Sequence, residues 1–164
     1  MPASLDLARI LQYYLAVWHK DDIVLVGYSL GADVVPALAN RLPHELLNRV
    51  RVIALLTPAL AAQFEFHLSD WLRAHTRDLS AQPIFPELLK LRSRQILCFY
   101  GKEEENASVC PLIPPNVGTT IALQGGYHFD GAYDVLARRL LAEITTARGS
   151  DHEKPPSSRG MPNL

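Results

Sequence analysis

Ser29 sits between two glycines in Gly27-Tyr28-Ser29-Leu30-Gly31, a Gly-x-Ser-x-Gly spacing. The apolar run Ile23-Val24-Leu25-Val26 leads into it, and a helix-like pattern follows. Strand, sharp turn and helix in that order form a nucleophile elbow, which holds a serine hydroxyl exposed at the apex. The turn forces backbone against backbone, so a side chain at Gly27 or Gly31 is expected to clash. The helix that follows presents free N–H groups beneath the serine, and the Leu30 N–H is the expected oxyanion donor. The plain alternative is a Gly/Ser turn that only joins a strand to a helix.

A serine hydroxyl is a weak nucleophile at neutral pH and needs a base within hydrogen-bond reach. An imidazole fits, because its pKa lies near neutrality. A carboxylate on the other ring nitrogen fixes the tautomer and stabilises the imidazolium. Of the six histidines, only His128 lies in a Gly-rich turn, Gly125-Gly126-Tyr127-His128-Phe129-Asp130, after the last expected strand. His19 and His44 fall near helix ends, His67 and His75 in an aromatic segment, and His152 in the tail. The acid is expected in Gly101-Lys102-Glu103-Glu104-Glu105-Asn106, with Glu104 first and Glu103 and Glu105 as close alternatives. Serine, acid, histidine is the chain order of the α/β-hydrolase triad. Asp33, four residues past the serine, either meets a cationic amino group or complements the helix dipole in its first turn.

The elements that must position these residues alternate helix and strand. Residues 4–19 read as an amphipathic helix with Ser4 as N-cap and Leu7, Ile10, Leu11, Tyr14, Leu15 and Trp18 at helical spacing. Strands are expected at 23–28, 50–57, 95–100 and 119–123, and helices at 31–41, 59–75, within 83–91 and at 130–147. The last helix is expected to bury Tyr133, Leu136, Leu140, Leu141 and Ile144, with Asp130 as its N-cap. Nearly all-apolar strands separated by helices imply an α/β fold with a mostly parallel sheet covered on both faces. Serine, acid and histidine then converge at the C-terminal edge of one sheet. One domain over 1–148 and a disordered Pro/Ser-rich tail over 149–164 are expected.

The 164 residues suffice for one real core. A formal net charge of −1 gives no reason to expect nucleic acid or an anionic surface as partner. No apolar run is long enough for a transmembrane helix. The first residues lack the regions of a signal peptide. No HExxH, paired CxxC, P-loop or GxGxxG is present, so neither metal nor cofactor is expected.

Longer stretches carry a family resemblance. Gly27-Tyr28-Ser29-Leu30-Gly31-Ala32-Asp33-Val34-Val35-Pro36, Asn40-Arg41-Leu42-Pro43 and Phe64-Glu65-Phe66-His67-Leu68-Ser69-Asp70-Trp71-Leu72 resemble segments of the bacterial VirJ/AcvB virulence-protein family. Cys98…Tyr100-Gly101…Cys110-Pro111 and Gly125-Gly126-Tyr127-His128-Phe129 are similar too, so the resemblance covers residues 6 to 145. It implies an α/β-hydrolase of the periplasm that hydrolyses the aminoacyl ester of lysyl- or alanyl-phosphatidylglycerol. The family's acid can also be an aspartate just after the paired glutamates, where this chain has Asn106. With export implied, an even cysteine count points to a Cys98–Cys110 disulfide, the alternative being two free thiols.

Tyr28, Asp33, Phe66, His67 and Trp71 are the candidate substrate contacts, although an aromatic stripe like the one around Phe66 is more often core. A complete α/β-hydrolase has further strands before its elbow, and this chain reaches the elbow after one helix. The expected consequences are an unpaired edge beside the elbow strand, open to oligomerisation, and no visible source of the second oxyanion donor. The chain thus reads as the C-terminal part of a longer hydrolase. Two other functions stay open: an esterase or thioesterase with a different substrate, and a non-catalytic interaction module.

Overall fold

The computed structural model describes residues 2–62 and 82–152. Its centre is a four-stranded parallel sheet, β1 (Ile23–Tyr28), β2 (Val50–Leu56), β5 (Gln95–Gly101) and β6 (Thr119–Leu123), in the order β1-β2-β5-β6. Helices α1 (Pro2–Trp18), α2 (Leu30–Ala39), α3 (His44–Arg49) and α4 (Phe85–Lys90) precede or link the strands, and α5 (Tyr133–His152) follows them. A two-residue pair, β3 (Ala61–Ala62) against β4 (Gln82–Pro83), runs antiparallel. The fold is therefore α/β, as the alternating apolar strands require.

Two apolar layers sandwich the sheet. One joins Leu25, Ile53 and Ile96 to Ala8 of α1, Ala32 of α2, Leu46 of α3 and Leu88 of α4. The other joins Val52, Ala54, Leu97 and Phe99 to Phe129 and to Leu136 of α5. Each large side chain buried this way stabilises the fold by about 1.5–3 kcal/mol. A disulfide links Cys98 in β5 to Cys110, with Cα atoms 5.5 Å apart. It tethers the loop after β5, which carries the three glutamates, to the buried face of the sheet.

Several elements differ from expectation. Helix α1 begins at Pro2, so Ser4 is a buried residue within it and not its cap. Leu7, Leu11 and Leu15 of α1 meet the core, whereas Ile10, Tyr14 and Trp18 face outward. The expected helix 59–75 does not begin at Ala59: Ala59 bridges to Ser108, and Ala61–Ala62 pair with Gln82–Pro83. The rest of that segment, with Phe64, Phe66, His67, Trp71 and Leu72, lies outside the described residues. In α5, Leu136 is buried with Leu140 and Ile144 beside it, while Tyr133 and Leu141 are exposed. A single sheet face takes only the narrow i, i+4, i+8 stripe. Asp130 caps nothing; it lies in a turn at φ 51° before α5 begins. Helix α5 continues to His152, beyond the position where a tail was expected.

Candidate active site

Strand β1 delivers its last residue, Tyr28, to the C-terminal edge of the sheet, opposite Leu56 of β2. The chain then reverses. Ser29 takes φ 55° and ψ −125°, a conformation that costs a non-glycine residue about 1–3 kcal/mol and persists only where its surroundings impose it. Its N–H donates to the Leu56 carbonyl at 2.9 Å, which pins the turn to β2. Its own carbonyl accepts from Ala32 and Asp33, so the Leu30 and Gly31 N–H groups belong to the unpaired first turn of α2. The glycines differ in role. A Cβ on Gly27 would lie 2.4 Å from the Gly31 carbonyl oxygen, an impossible contact. A Cβ on Gly31 would meet nothing within 4 Å, so the clash expected there does not exist. Gly31 presents its backbone, not its side, to the turn.

The histidine loop follows β6. Gly125 at φ 87° and Gly131 at φ 77°, with Phe129 and Asp130 both at 51°, coil the chain tightly. Phe129 is buried as its anchor, and His128 is left exposed between them. The Tyr28 hydroxyl lies 2.9 Å from His128 Nδ1, and the Tyr133 hydroxyl 3.5 Å from the same atom. Tyr28, expected to touch substrate, thus stands where a triad carboxylate would. Its phenol is held above the ordinary tyrosine pKa, first by desolvation and then by Tyr133 and Tyr127, so it stays a neutral hydroxyl. If it accepts from Nδ1–H, it leaves Nε2 unprotonated, the tautomer a general base needs.

Tyr127, which no motif spacing marks, donates a hydrogen bond to Ser29 Oγ. Its ring meets His128 edge-on at 5.1 Å and lies 6.1 Å from the Tyr28 ring. Tyr28, Tyr127, His128 and Tyr133 therefore form one aromatic wall beside Ser29. Ser29 and His128 are brought together through this wall, and no hydrogen bond joins them directly among the described residues.

The glutamates occupy the neighbouring loop. The Glu103 N–H donates to the Gly125 carbonyl at 3.2 Å, which ties the acid loop to the histidine loop. A Cβ built on Gly126 would lie 3.3 Å from Glu103 Oε2 and 3.8 Å from Glu104 Oε1. Both carboxylates thus flank the histidine loop two residues from His128, and Glu105 is exposed. No glutamate hydrogen-bonds to His128 among the described residues.

Beside Ser29 lies a cavity of ≈ 110 Å³ lined by Asp33, Thr57, Tyr100, Glu104 and Tyr127, among others. Asp33 Oδ1 accepts the Ala59 N–H at 2.8 Å, so this carboxylate also fixes the loop after β2. Burial raises the Asp33 pKa, and the Ala59 hydrogen bond works against that rise. Thr57 sits at φ 52°, an outlier for a β-branched residue, with its N–H donating to the Phe99 carbonyl at 2.8 Å. Ser29 and Thr57 thus place two strained residues side by side at this edge. A larger hollow, ≈ 540 Å³, lies between α1 and α3 around Leu15, His19, Glu45 and Arg49, at the other end of β1 and away from the serine. Among the described residues no cluster of His, Cys, Asp and Glu could hold a metal ion.

The sequence of residues 2–148 matches the family model described as Bacterial virulence protein (VirJ). The chain belongs to the VirJ family. No curated protein matches it. Among solved structures it is similar to a thioesterase domain from the curacin biosynthetic pathway, at 14% identity and a TM-score of 0.43, over 84% of this chain and 73% of that one. The VirJ match spans every element that carries the site, from α1 to the body of α5. Of the expected substrate contacts in this VirJ chain, Tyr28 and Asp33 stand at the site, and Phe66, His67 and Trp71 lie outside the described residues. Tyr127 and Tyr133 are additions. Their signal in the sequence is proximity alone: Tyr127 precedes His128, and Tyr133 opens α5 five residues on.

Proposed function

We propose that this VirJ-family protein is a serine ester hydrolase of the periplasm that cleaves the aminoacyl ester of lysyl- or alanyl-phosphatidylglycerol. The observation that carries the reading is Ser29, held at φ 55° between the end of β1 and the unpaired first turn of α2. In this reading His128 takes the Ser29 proton as Oγ attacks the ester carbonyl. The carbonyl electron pair moves onto oxygen, which faces the Leu30 N–H. Collapse expels the glycerol oxygen, which leaves with the proton from His128. Water then repeats the sequence on the acyl-serine and releases the free amino acid. In this scheme Tyr28 holds the ring at Nδ1, where a triad carboxylate would stand, and Glu104, with Glu103 and Glu105 as alternatives, is the acid that stabilises the imidazolium from the neighbouring loop. The cavity lined by Asp33 offers a carboxylate to the ammonium group of an amino ester, which favours that substrate over an uncharged ester.

Labelling by a fluorophosphonate tests the serine. The protein should be labelled and Ser29→Ala should not; a folded protein that resists labelling would leave only the non-catalytic alternative. Lysyl-phosphatidylglycerol vesicles test the substrate. Release of lysine that stops in Ser29→Ala supports the lipid reading, and labelling without lysine release transfers the activity to another ester or thioester.

A further inference from the structure

An oxyanion hole takes two donors, and the elbow turn offers its backbone N–H groups from one side only. We infer that the Tyr127 hydroxyl is the second donor, making Tyr127 a catalytic residue of this site. The inference rests on the serine-hydrolase reading above and deepens it.

Four observations carry it. Tyr127 is the side chain that hydrogen-bonds to Ser29 Oγ among the described residues, so its hydroxyl already sits at the reacting atom. The phenol is aimed by its surroundings: its ring is braced edge-on against His128 and tilted against Tyr28. The backbone beneath it is fixed, because a Cβ on Gly101 would lie 2.2 Å from the Gly126 carbonyl oxygen, so β5 presses directly on the residue before Tyr127. Tyr127 also lines the cavity that begins at Asp33, and so stands between the nucleophile and the space where an ester could enter.

The chemistry follows from the change at Oγ. In the resting site the serine oxygen accepts the Tyr127 hydrogen bond. When the Oγ–carbon bond forms, Oγ becomes an ether-like oxygen and a poorer acceptor, while the former carbonyl oxygen on the same carbon becomes an anion. The Tyr127 O–H then swings to that anion and keeps its proton throughout. The serine proton goes to His128 and from there to the leaving oxygen. The contact is stronger in the transition state than in the ground state, which is what accelerates a reaction. A neutral phenol is required, and an ionised one cannot donate.

The test uses Tyr127→Phe and the same position carrying 3-fluorotyrosine, which keeps the hydroxyl and lowers its pKa. Fluorophosphonate reaction and p-nitrophenyl acetate hydrolysis are the readouts. Tyr127→Phe should slow both by about 10²-fold, mostly in kcat, at an unchanged melting temperature. The 3-fluorotyrosine protein should keep its activity at neutral pH and lose it at a lower alkaline pH than the parent, a shift that a merely structural phenol would not cause. Unchanged or faster reaction in Tyr127→Phe, with the parent labelled normally, overturns the Tyr127 assignment alone. An unmoved alkaline limb overturns it too, even if Tyr127→Phe is slow or fails to fold. A parent that is not labelled removes the hydrolase reading and this inference together.

Discussion

At the scale of single residues, the two elbow glycines separate a steric requirement from a motif. Gly27→Ala sets a methyl 2.4 Å from a backbone oxygen, and backbone cannot step aside. It should cost about 3 kcal/mol or more, in the range of severe packing defects. Gly31→Ala enters open space within α2 and should be neutral or stabilise by up to about 1 kcal/mol. Denaturant melts of the two variants test the contrast; equal losses would mean the elbow is built differently. Ser29→Ala and His128→Ala should each abolish ester hydrolysis to a similar extent, because a nucleophile and its base act as a unit. Glu104→Gln should then cost more than Glu103→Gln or Glu105→Gln, and a different ranking moves the acid. Tyr28→Phe removes the 2.9 Å contact to His128 Nδ1. A hydrogen bond of about 1.4 kcal/mol corresponds to about tenfold in kcat, and steady-state kinetics of Tyr28→Phe read it directly.

At the scale of elements, two carboxylates give opposite pH dependence. On α4, burial raises the Glu87 pKa, but hydrogen bonds from Lys90 and Asn40, with the charges of Lys90 and Arg41, outweigh it and leave the pKa below the ordinary glutamate value. Its contribution is therefore present above the unfolded pKa and is lost as pH falls through the folded one. Asp33 runs the other way. Burial lifts its folded pKa above the unfolded value, so stability falls as pH rises from the ordinary aspartate pKa through the raised one. Unfolding free energy measured against pH should decline less on the acid side in Glu87→Gln and gain stability above that window in Asp33→Asn, provided the Asn still accepts the Ala59 N–H. The Cys98–Cys110 bond closes a loop of sequence separation 12, worth about 3 kcal/mol in the chain-entropy model. Reductant should lower the melting temperature and loosen the glutamate loop; an unchanged melt would show the loop is held by packing alone.

At the scale of the whole molecule, β1 leads into Ser29 and ends the strand order, with β2 its partner among the described residues. Val26 on this strand is 48% exposed. On the sheet face opposite Val26, α1 turns Ile10, Tyr13, Tyr14, Val17 and Trp18 outward, the last 61% exposed. An apolar edge strand and an exposed apolar helix face each associate unless charge or covering prevents it. Residues 1–164 should therefore show concentration-dependent association in light scattering, and Trp18→Glu with Val26→Lys should reduce it. A chain that stays monomeric at high concentration would show that these surfaces are tolerated in water.

The sequence by itself determined the sheet. Runs such as Val52–Leu56 and Ile96–Tyr100 are apolar on both faces, and only a parallel sheet covered by helices on each side satisfies them. It also determined the strand–turn–helix around Ser29 and put the glutamate and histidine loops after later strands, because strand ends and glycine turns are local signals. Tertiary structure decided which polar atoms meet. Tyr127 on Ser29, and Tyr28 and Tyr133 on His128, are contacts between loops that follow different strands, and no spacing along the chain encodes them. It likewise decided which half of the α1 pattern is core: Leu11 and Ile10 are equally apolar in the sequence, and only the position of α1 against α2 and α3 sends one inward and the other out. Periodicity reports that a face is apolar, and burial depends on what arrives to cover it.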